Sequence, residues 1–260
     1  MDLALKGRKA LVCGASDGIG FASAKLLAAE GVNLVLVART QEKLAKAASA
    51  LRDIYEVEVD YVPADLGEKR GREAVLSHCS DPDILIHNGG WPRTERDFRK
   101  WTNDDWLRAI DLMMLAPIEL ITGVIDGMAE RRFGRIVAVT SRFVKEPSAE
   151  LALSTSPRLG LSGFITGVAR KYASHNVTLN TALPGIVATE TQRQHGRDLA
   201  AVAGKSFEDT WAERSCTNSA NRFATPEEFA SLCIFLCSAH SGFITGQHIL
   251  SDGAGYPGVF

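Results

Sequence analysis

The sequence predicts an α/β protein built as a single domain on one doubly wound parallel sheet of about seven strands. Short apolar runs alternate with amphipathic segments of helical length, as in parallel sheets with right-handed crossovers. Several runs are apolar at consecutive positions, which is typical of strands buried on both faces. The length of 260 residues, without a repeat, low-complexity tract or linker, suits one large domain covering residues 1–260.

The individual elements follow from this alternation. Strands are predicted at 10–13, 33–38, 57–64, 83–88, 135–140, 177–183 and 247–252. Helices are predicted at 18–30, 41–53, 68–79, 103–130, 154–174 and 226–239. The last helix has the clearest start, because Thr225 can cap it and Pro226 fits its first position. Glu227 and Glu228 then suit the positive end of the helix dipole.

The segment 190–222 breaks the alternation. It contains Gly, Ser, Asn and scattered charges, and we predict a loop with short helices. Insertions that follow a sheet strand often cover a site, so we expect this segment to cover a substrate.

Composition excludes several classes of function. The net charge is −2 and no basic face or tail is present, so we expect neither a nucleic-acid nor a membrane partner. The N-terminus shows no signal-peptide pattern, and the five cysteines lack metal-binding spacing. His175, His240 and His248 have no second ligand at metal spacing. We therefore expect a cytoplasmic protein without a metal site.

A glycine-rich turn, 14-GASDGIG-20, joins the first strand to the first helix. Gly14, Gly18 and Gly20 allow the backbone to turn tightly and to approach a ligand, and the helix N-terminus offers unpaired N–H groups to phosphate. Spaced glycines alone are a weak signal. Their position at the first βα turn of a doubly wound sheet favours a nucleotide site.

Further motifs follow in order along almost the whole chain. They are Asp65-Leu66 after the third strand, 87-HNGG-90 after the fourth, Ser141 after the fifth, Asn180 and 184-PGIVAT-189, and the C-terminal stretch 224–254. Together with Gly14-x-x-x-Gly18-Ile19-Gly20, this set resembles the short-chain dehydrogenase/reductase family, whose members have a Rossmann fold. The resemblance implies an oxidoreductase that uses a nicotinamide cofactor on a small-molecule carbonyl or alcohol.

The resemblance also implies which residues bind the cofactor. They are Gly14, Ser16, Asp17, Gly18, Ile19, Gly20, Arg39, Asp65, Leu66, Asn88, Gly90, Arg158, Pro184, Gly185, Val187 and Thr189. Of these, Asp65 and Leu66 would hold the adenine ring, and the stretch from Pro184 would border the nicotinamide.

The end of the second strand indicates which cofactor is used. A carboxylate there would bind both ribose hydroxyls and repel a 2′-phosphate, but this chain has Ala38 followed by Arg39. A guanidinium suits a phosphate. Asp17 opposes this reading, since a carboxylate near the phosphate is repulsive. We expect NADP(H) to be favoured over NAD(H).

The family's usual acid is missing. The resemblance implies a Tyr thirteen residues after the catalytic serine and a Lys four residues later, but these positions hold Ser154 and Arg158. The family's Asn in the central helix aligns with Met113, and no Tyr-x-x-x-Lys occurs anywhere in the chain. We therefore take Ser141, Ser154 and Arg158 as the candidate catalytic residues.

Two interpretations stay open. In the first, hydride transfer survives, with Ser141 and Ser154 hydrogen-bonding the carbonyl and Arg158 holding the ribose. In the second, the chain is a non-redox enzyme of lyase or isomerase type, or a non-catalytic nucleotide-binding module. The retained cofactor motifs favour the first. The substrate stays open among 3-oxoacyl thioesters, cyclic ketones and secondary-metabolite intermediates.

Other polar and aromatic residues have two readings each. His87 is either a satisfied structural histidine or a group that faces the pocket, and Lys145 is a candidate for substrate binding or proton relay. Trp91, Trp101 and Trp211 either anchor their loops or contact an apolar or ring-bearing substrate.

The resemblance implies a homodimer or homotetramer, in which helices 103–130 and 154–174 pair between subunits. Four small residues would let the second helix approach its partner closely. They are Ser162, Gly163, Thr166 and Gly167.

Overall fold

The computed structural model describes residues 2–90 and 95–259. Seven parallel strands form one sheet in the order β3-β2-β1-β4-β5-β6-β7. They are β1 Lys9–Cys13, β2 Asn33–Ala38, β3 Val59–Pro63, β4 Ile84–Asn88, β5 Gly134–Val139, β6 Val177–Pro184 and β7 His248–Ser251. The predicted doubly wound, single-domain Rossmann fold is confirmed. The strand order reverses between β1 and β4, where such sheets open a crevice for ligands.

Helices cover both faces of the sheet. They are α1 Gly18–Ala29, α2 Gln41–Ile54, α3 Lys69–His78, α4 Asn103–Ile110, α5 Ala116–Glu130, α6 Ala152–Tyr172, α7 Glu190–Ala203, α8 Phe207–Ser215 and α9 Pro226–Cys237. A capping box formed by Thr225 and Glu228 begins α9, as its sequence predicts.

The core lies in two layers because alternate residues of each strand face opposite sides of the sheet. In β1, Ala10 and Val12 pack with α1, α2 and α9, whereas Leu11 and Cys13 pack with α3, α5 and α6. This two-sided burial explains the unbroken apolar runs in the sequence.

One predicted helix differs from the structure, and one irregular segment agrees with its prediction. The helix predicted at 103–130 is interrupted by a π-helical turn, Asp111–Leu115, between α4 and α5. The segment 190–222 contains helices, as predicted, and α7 and α8 occupy much of it. Thr189 and Ser206 cap these helices by accepting from backbone N–H groups.

By length and composition alone, the α4–α5 helix, Asn103–Glu130, could cross a membrane. Half of its most apolar window is buried inside the fold, as in a core helix of a parallel α/β sheet.

The five cysteines divide into two kinds. Cys13, Cys79, Cys233 and Cys237 are buried, and burial raises the pKa of each of these thiols. Cys216, just after α8, is exposed. Across residues 2–90 and 95–259, no three His, Cys, Asp or Glu side chains are grouped as a metal site would require.

Candidate active site

The first βα turn brings the backbone of β1 against the end of β4. Gly14 has φ +66°, and a Cβ built there would lie 2.4 Å from the carbonyl oxygen of Asn88. A Cβ at Gly20 would lie 2.1 Å from the carbonyl oxygen of Gly14. Since real Cβ atoms do not approach so closely, both positions require glycine. These glycines pack the turn, the first helix and β4 together.

The same turn meets the start of α7. Gly18 has φ +56°, and a Cβ there would lie 3.0 Å from Cγ2 of Thr189, which caps α7. The N-terminal ends of α1 and α7 therefore lie side by side, and their N–H groups favour anions. Ser16 and Ile19 are half-buried in the same turn.

Asp17 has a local role in this turn. It is the N-cap of α1, and its carboxylate accepts a hydrogen bond of 2.7 Å from the N–H of Gly18. The Asp17 carboxylate, whose negative charge would repel a 2′-phosphate, is thus hydrogen-bonded to the start of α1.

The ends of β2 and β3 lie next to each other on the other side of the turn. Ala64 donates from its backbone N–H to the carbonyl of Ala38 at 2.9 Å. Arg39 is exposed and makes no hydrogen bond or ion pair with any described residue. Asp65 accepts from the N–H of Gly67, and Leu66 is buried in the core. An unpaired guanidinium therefore stands beside the predicted adenosine pocket.

The end of β6 forms another wall of the crevice at the carboxyl edge of the sheet. A Cβ at Gly185 would lie 2.6 Å from Cα of Asp252, so this backbone passes closely over the end of β7. Pro184 ends β6, and Val187 is buried where it bridges to Ala224. Asn180, which also belongs to the family pattern, is fully buried and holds the turn before β7 through Ile244 and Gln247.

Ser141 directly follows β5 at the same edge of the sheet. It is half-buried, and its Oγ accepts from the N–H of Phe143 at the start of a 3₁₀ turn, Arg142–Val144. That turn packs on α6, the helix that carries Ser154 and Arg158. The structure thus places the three predicted catalytic residues on adjoining elements.

Ser154 and Arg158 are both buried and lie one turn apart on α6. Nη1 of Arg158 donates to Oγ of Ser154. Burial lowers the pKa of the Arg158 guanidinium from 12.5 to about 10. The guanidinium therefore keeps its charge at neutral pH, next to a serine hydroxyl.

A small cavity of about 10 Å³ opens beside Arg158. Its lining consists of His87, Gly89, Met113, Val139, Thr140, Arg158 and Leu161. Met113 reaches the cavity from the π-helical turn. Since π turns distort a helix locally, and often do so at functional sites, this one marks the same region of the fold.

His87 takes the pocket-facing alternative of the two that the sequence leaves open. It is 3 % exposed and lines the cavity with Arg158. Burial, and then the positive charge of Arg158, lower the pKa of His87 from 6.5 to about 4. The imidazole is therefore neutral at physiological pH.

Sequence reasoning missed Thr140, which also lines the cavity. Its position just before Ser141 was the only available signal.

Two tryptophans anchor their loops. Trp101 donates from its indole to the carbonyl of Glu95 and meets Trp106 edge to face, and Trp211 stacks on Phe223 at 3.7 Å. Trp91 lies outside the described residues.

Lys145 is half-buried and lies four residues after Ser141. Burial, and then the positive charge of Lys145, lower the pKa of His248 on β7.

A polar cluster connects α7 to the rest of this edge. Arg96 donates to Oε2 of Glu150 at 3.2 Å and lies 3.0 Å from Nε2 of His195 on α7. These contacts join the loop after β4, the segment before α6 and α7 on one side of the crevice.

A wider cavity of about 140 Å³ lies elsewhere, beside the ends of β6 and β7. Asn218 and Asp252 line it, but Ser141, Ser154 and Arg158 do not. Of these three residues, Arg158 lines the smaller cavity.

Comparison with known proteins identifies relatives across the whole chain. The family model described as short chain dehydrogenase matches residues 8–200. The acetoacetyl-CoA reductase of Cupriavidus necator is 32% identical over 251 residues, covering 95% of this chain and 97% of that protein. The crystal structure of L-sorbose reductase from Gluconobacter frateurii, complexed with NADPH and L-sorbose, superimposes with a TM-score of 0.94 at 28% identity and covers 100% of both chains.

A third relative has a different description. The human protein named inactive hydroxysteroid dehydrogenase-like protein 1 is 34% identical over 190 residues, covering 70% of this chain and 57% of that protein.

We predict that Gly14→Ala destabilises the fold by about 2–4 kcal/mol, because it adds backbone strain at positive φ to a clash with Asn88. Gly90→Ala is the matched control, since a Cβ there meets nothing within 4 Å, and it should change stability by less than about 0.5 kcal/mol. Urea unfolding measures both. Equal stability of the two variants would contradict the close approach at Gly14.

We also predict a pH dependence from His87. Between pH 6.5 and pH 4 the unfolded chain binds a proton at this position that the folded protein does not, so folding loses stability as the pH falls through this window. The loss is at most about 3 kcal/mol. His87→Gln should flatten the dependence, whereas the exposed His240→Gln should leave it unchanged. Urea unfolding at a series of pH values tests this, and parallel curves for the wild type and His87→Gln would refute it.

Proposed function

The chain belongs to the short chain dehydrogenase family, and from this premise we propose that it is an NADP(H)-dependent oxidoreductase that interconverts a carbonyl and an alcohol. The observation that carries the proposal is the packed glycine turn, in which Gly14 approaches Asn88 and Gly18 approaches Thr189. At the first βα turn of a doubly wound sheet, glycines of this kind also let a ligand phosphate approach the backbone. The NADPH complex of the L-sorbose reductase supports the same use.

The residues at this edge fit a dinucleotide phosphate. The N-termini of α1 and α7 would receive the pyrophosphate, and Gly90 leaves open space beside them. Arg39 would bind the 2′-phosphate of NADP(H), and Pro184 to Val187 would border the nicotinamide. When bound, the cofactor supplies or accepts the hydride.

The candidate catalytic residues would stabilise the negative charge that develops on the substrate oxygen during reduction. Reduction of a carbonyl places negative charge on its oxygen, and donors aimed at that oxygen lower the barrier. Ser141 and Ser154 would donate hydrogen bonds to the oxygen, while Arg158 would stabilise the charge and hold the ribose. The buried position of Arg158 strengthens its field, because little water screens it.

The proton that the substrate oxygen takes up must come from a group other than Arg158, Ser141 or Ser154. A guanidinium with a pKa of about 10 retains its proton during the reaction, and a serine hydroxyl is a poor acid. We propose that water or Lys145 supplies the proton. A positioned acid is typically worth 10²–10⁴ in rate, so we expect slow turnover compared with relatives that retain one.

The names of the relatives indicate a broad class of substrate. The names acetoacetyl-CoA reductase and L-sorbose reductase describe proteins that act on ketones. We propose a small ketone or 3-oxoacyl thioester, or the matching alcohol, covered by α7 and α8. The contacts of Arg96 with Glu150 and His195 support α7 as part of that cover.

The second candidate is a non-redox enzyme or a nucleotide-binding module. All four tyrosines lie within the described residues, and the hydroxyl of Tyr172 donates to Asp126 rather than facing Ser154. The human relative whose name includes inactive gives this alternative its support. Failure of the wild type to bind NADPH or NADH would favour it.

We propose a homodimer or homotetramer assembled through α4–α5 and α6. On α6, Leu159, Gly163 and Gly167 are exposed at helical spacing, and a Cβ at either glycine meets nothing within 4 Å. Ser162, in contrast, is buried and donates to the backbone carbonyl of Arg158, and the hydroxyl of Thr166 lies 2.9 Å from Nε2 of His248. Light scattering that shows a monomer would contradict the assembly.

We further propose a cytoplasmic location, which fractionation of the source cells would test.

We predict that Arg39→Ala raises the dissociation constant of NADPH by about tenfold and leaves that of NADH nearly unchanged, because a charged hydrogen bond to the 2′-phosphate is lost. Lys43→Ala, which removes an exposed cation on the first turn of α2, is the control. Titration of nucleotide fluorescence measures both constants. An unchanged preference in Arg39→Ala would show that another residue selects the cofactor.

We predict that Ser154→Ala lowers kcat by about 10²-fold with little change in NADPH affinity, as when one donor to a developing oxyanion is removed. Arg158→Ala should impair both, since it removes the ribose contact and the charge. Ser156→Ala, exposed on the same helix, should resemble the wild type. Oxidation of NADPH with acetoacetyl-CoA and L-sorbose as probe substrates provides the assay.

The double substitution Ser154→Tyr and Arg158→Lys restores the family's usual pair. If this variant reduces a probe ketone that the wild type does not reduce, the natural site is not a reductase. If both are active and Ser154→Ala is slower than the wild type, the altered site is catalytic.

A further inference from the structure

Two buried polar atoms without partners belong to residues on neighbouring strands. Nε2 of His87 and Oγ1 of Thr140 have no hydrogen-bond partner among the described residues, and the two side chains are 3 % and 5 % exposed. His87 is on β4 and Thr140 directly follows β5, its neighbour in the sheet. Buried polar atoms without a partner are costly, so the fold must satisfy them in another way.

Both residues line the cavity beside Arg158. Gly89, another lining residue, leaves space for the edge of the imidazole ring. A Cβ at this position would lie 2.9 Å from Cε1 and 3.6 Å from Nε2 of His87. The remaining walls are apolar and come from Met113, Val139 and Leu161. The polar groups of the cavity are therefore concentrated on His87, Thr140 and Arg158.

The cavity has the size and polarity of a water site. Its volume of about 10 Å³ is near the smallest that admits the centre of one water molecule. Cavities of this size stay dry when they are apolar, but are filled when two to four polar partners surround them. Two unpartnered atoms and a guanidinium provide that number.

We propose that one ordered water molecule occupies this cavity, donating hydrogen bonds to Nε2 of His87 and Oγ1 of Thr140 and accepting one from the guanidinium of Arg158. His87 is then a positioning residue for Arg158. Through the water it holds the guanidinium against Ser154, to which Nη1 already donates. Only the link from Arg158 to cofactor binding rests on the proposed function.

The neutral state of His87 fits this arrangement. A protonated imidazole would donate from Nε2 and would place a second positive charge beside Arg158, so the water could no longer donate to both side chains. Burial and the charge of Arg158 both keep the proton off the ring.

A matched pair of threonines tests the water directly. Thr140→Val removes one of its partners, whereas Thr178→Val removes an equally buried and unpartnered hydroxyl that does not line the cavity. In crystals of the wild type and Thr178→Val, density for one water should lie within hydrogen-bond distance of His87 Nε2. Thr140→Val should lose that density. An empty cavity, or a chloride ion in it, in the wild type would overturn the proposal.

The positioning role is tested by NMR of the arginine Nε–Hε groups, with the Arg158 signal identified by its absence in Arg158→Lys. His87→Leu and Thr140→Val should shift that signal, and His87→Gln, which keeps a polar atom near Nε2, should restore it. An unshifted signal in both His87→Leu and Thr140→Val would remove the role of His87.

Nucleotide binding separates this inference from the proposed function. The dissociation constant of NADPH should rise about tenfold in His87→Leu, as for a lost hydrogen bond to a charged group, and less than about twofold in His87→Gln. If the wild type binds no NADPH but the water and the NMR shifts are as expected, the proposed function fails and the water site stands. If NADPH binds equally to the wild type and His87→Leu, the positioning role fails.

Discussion

The close approach of backbone to backbone at Gly14, Gly20 and Asn88 constrains the whole carboxyl edge of the sheet. A side chain at Gly14 or Gly20 would not fit between β1, α1 and β4, because its Cβ would lie within 2.4 Å of a carbonyl oxygen. Thr189 of α7 closes on this turn at Gly18.

Within that fixed frame, α6 places a serine hydroxyl and a buried guanidinium together at the same edge of the sheet. Ser154 and Arg158 keep one-turn spacing on α6, and a buried guanidinium needs more hydrogen-bond partners than an ammonium does. The structure provides room for them beside Met113, where the π turn separates α4 from α5. The π turn and the buried guanidinium of α6 thus meet at the same place in the fold.

The sequence predicted most of the fold because its strands are buried on both faces and alternate regularly with segments of helical length. The prediction of 33–38 coincides with β2, whereas the π turn at Asp111–Leu115 left no trace in the apolar periodicity. Small size makes Ser162 and Thr166 candidates for close contact with a second helix, but size alone does not show that Ser162 is buried or that Thr166 lies against His248. The cavity was equally invisible, since His87, Thr140 and Arg158 meet only when β4, β5 and α6 pack together.

The distribution of cysteines has a practical consequence for following the molecule in solution. Four thiols are shielded inside the core, and Cys216 stands exposed at the end of α8. A maleimide dye added to the native protein would attach at that single position, without prior removal of other cysteines. Its emission would report the local surroundings of α8, so any change in those surroundings could be observed in real time as nucleotides are added.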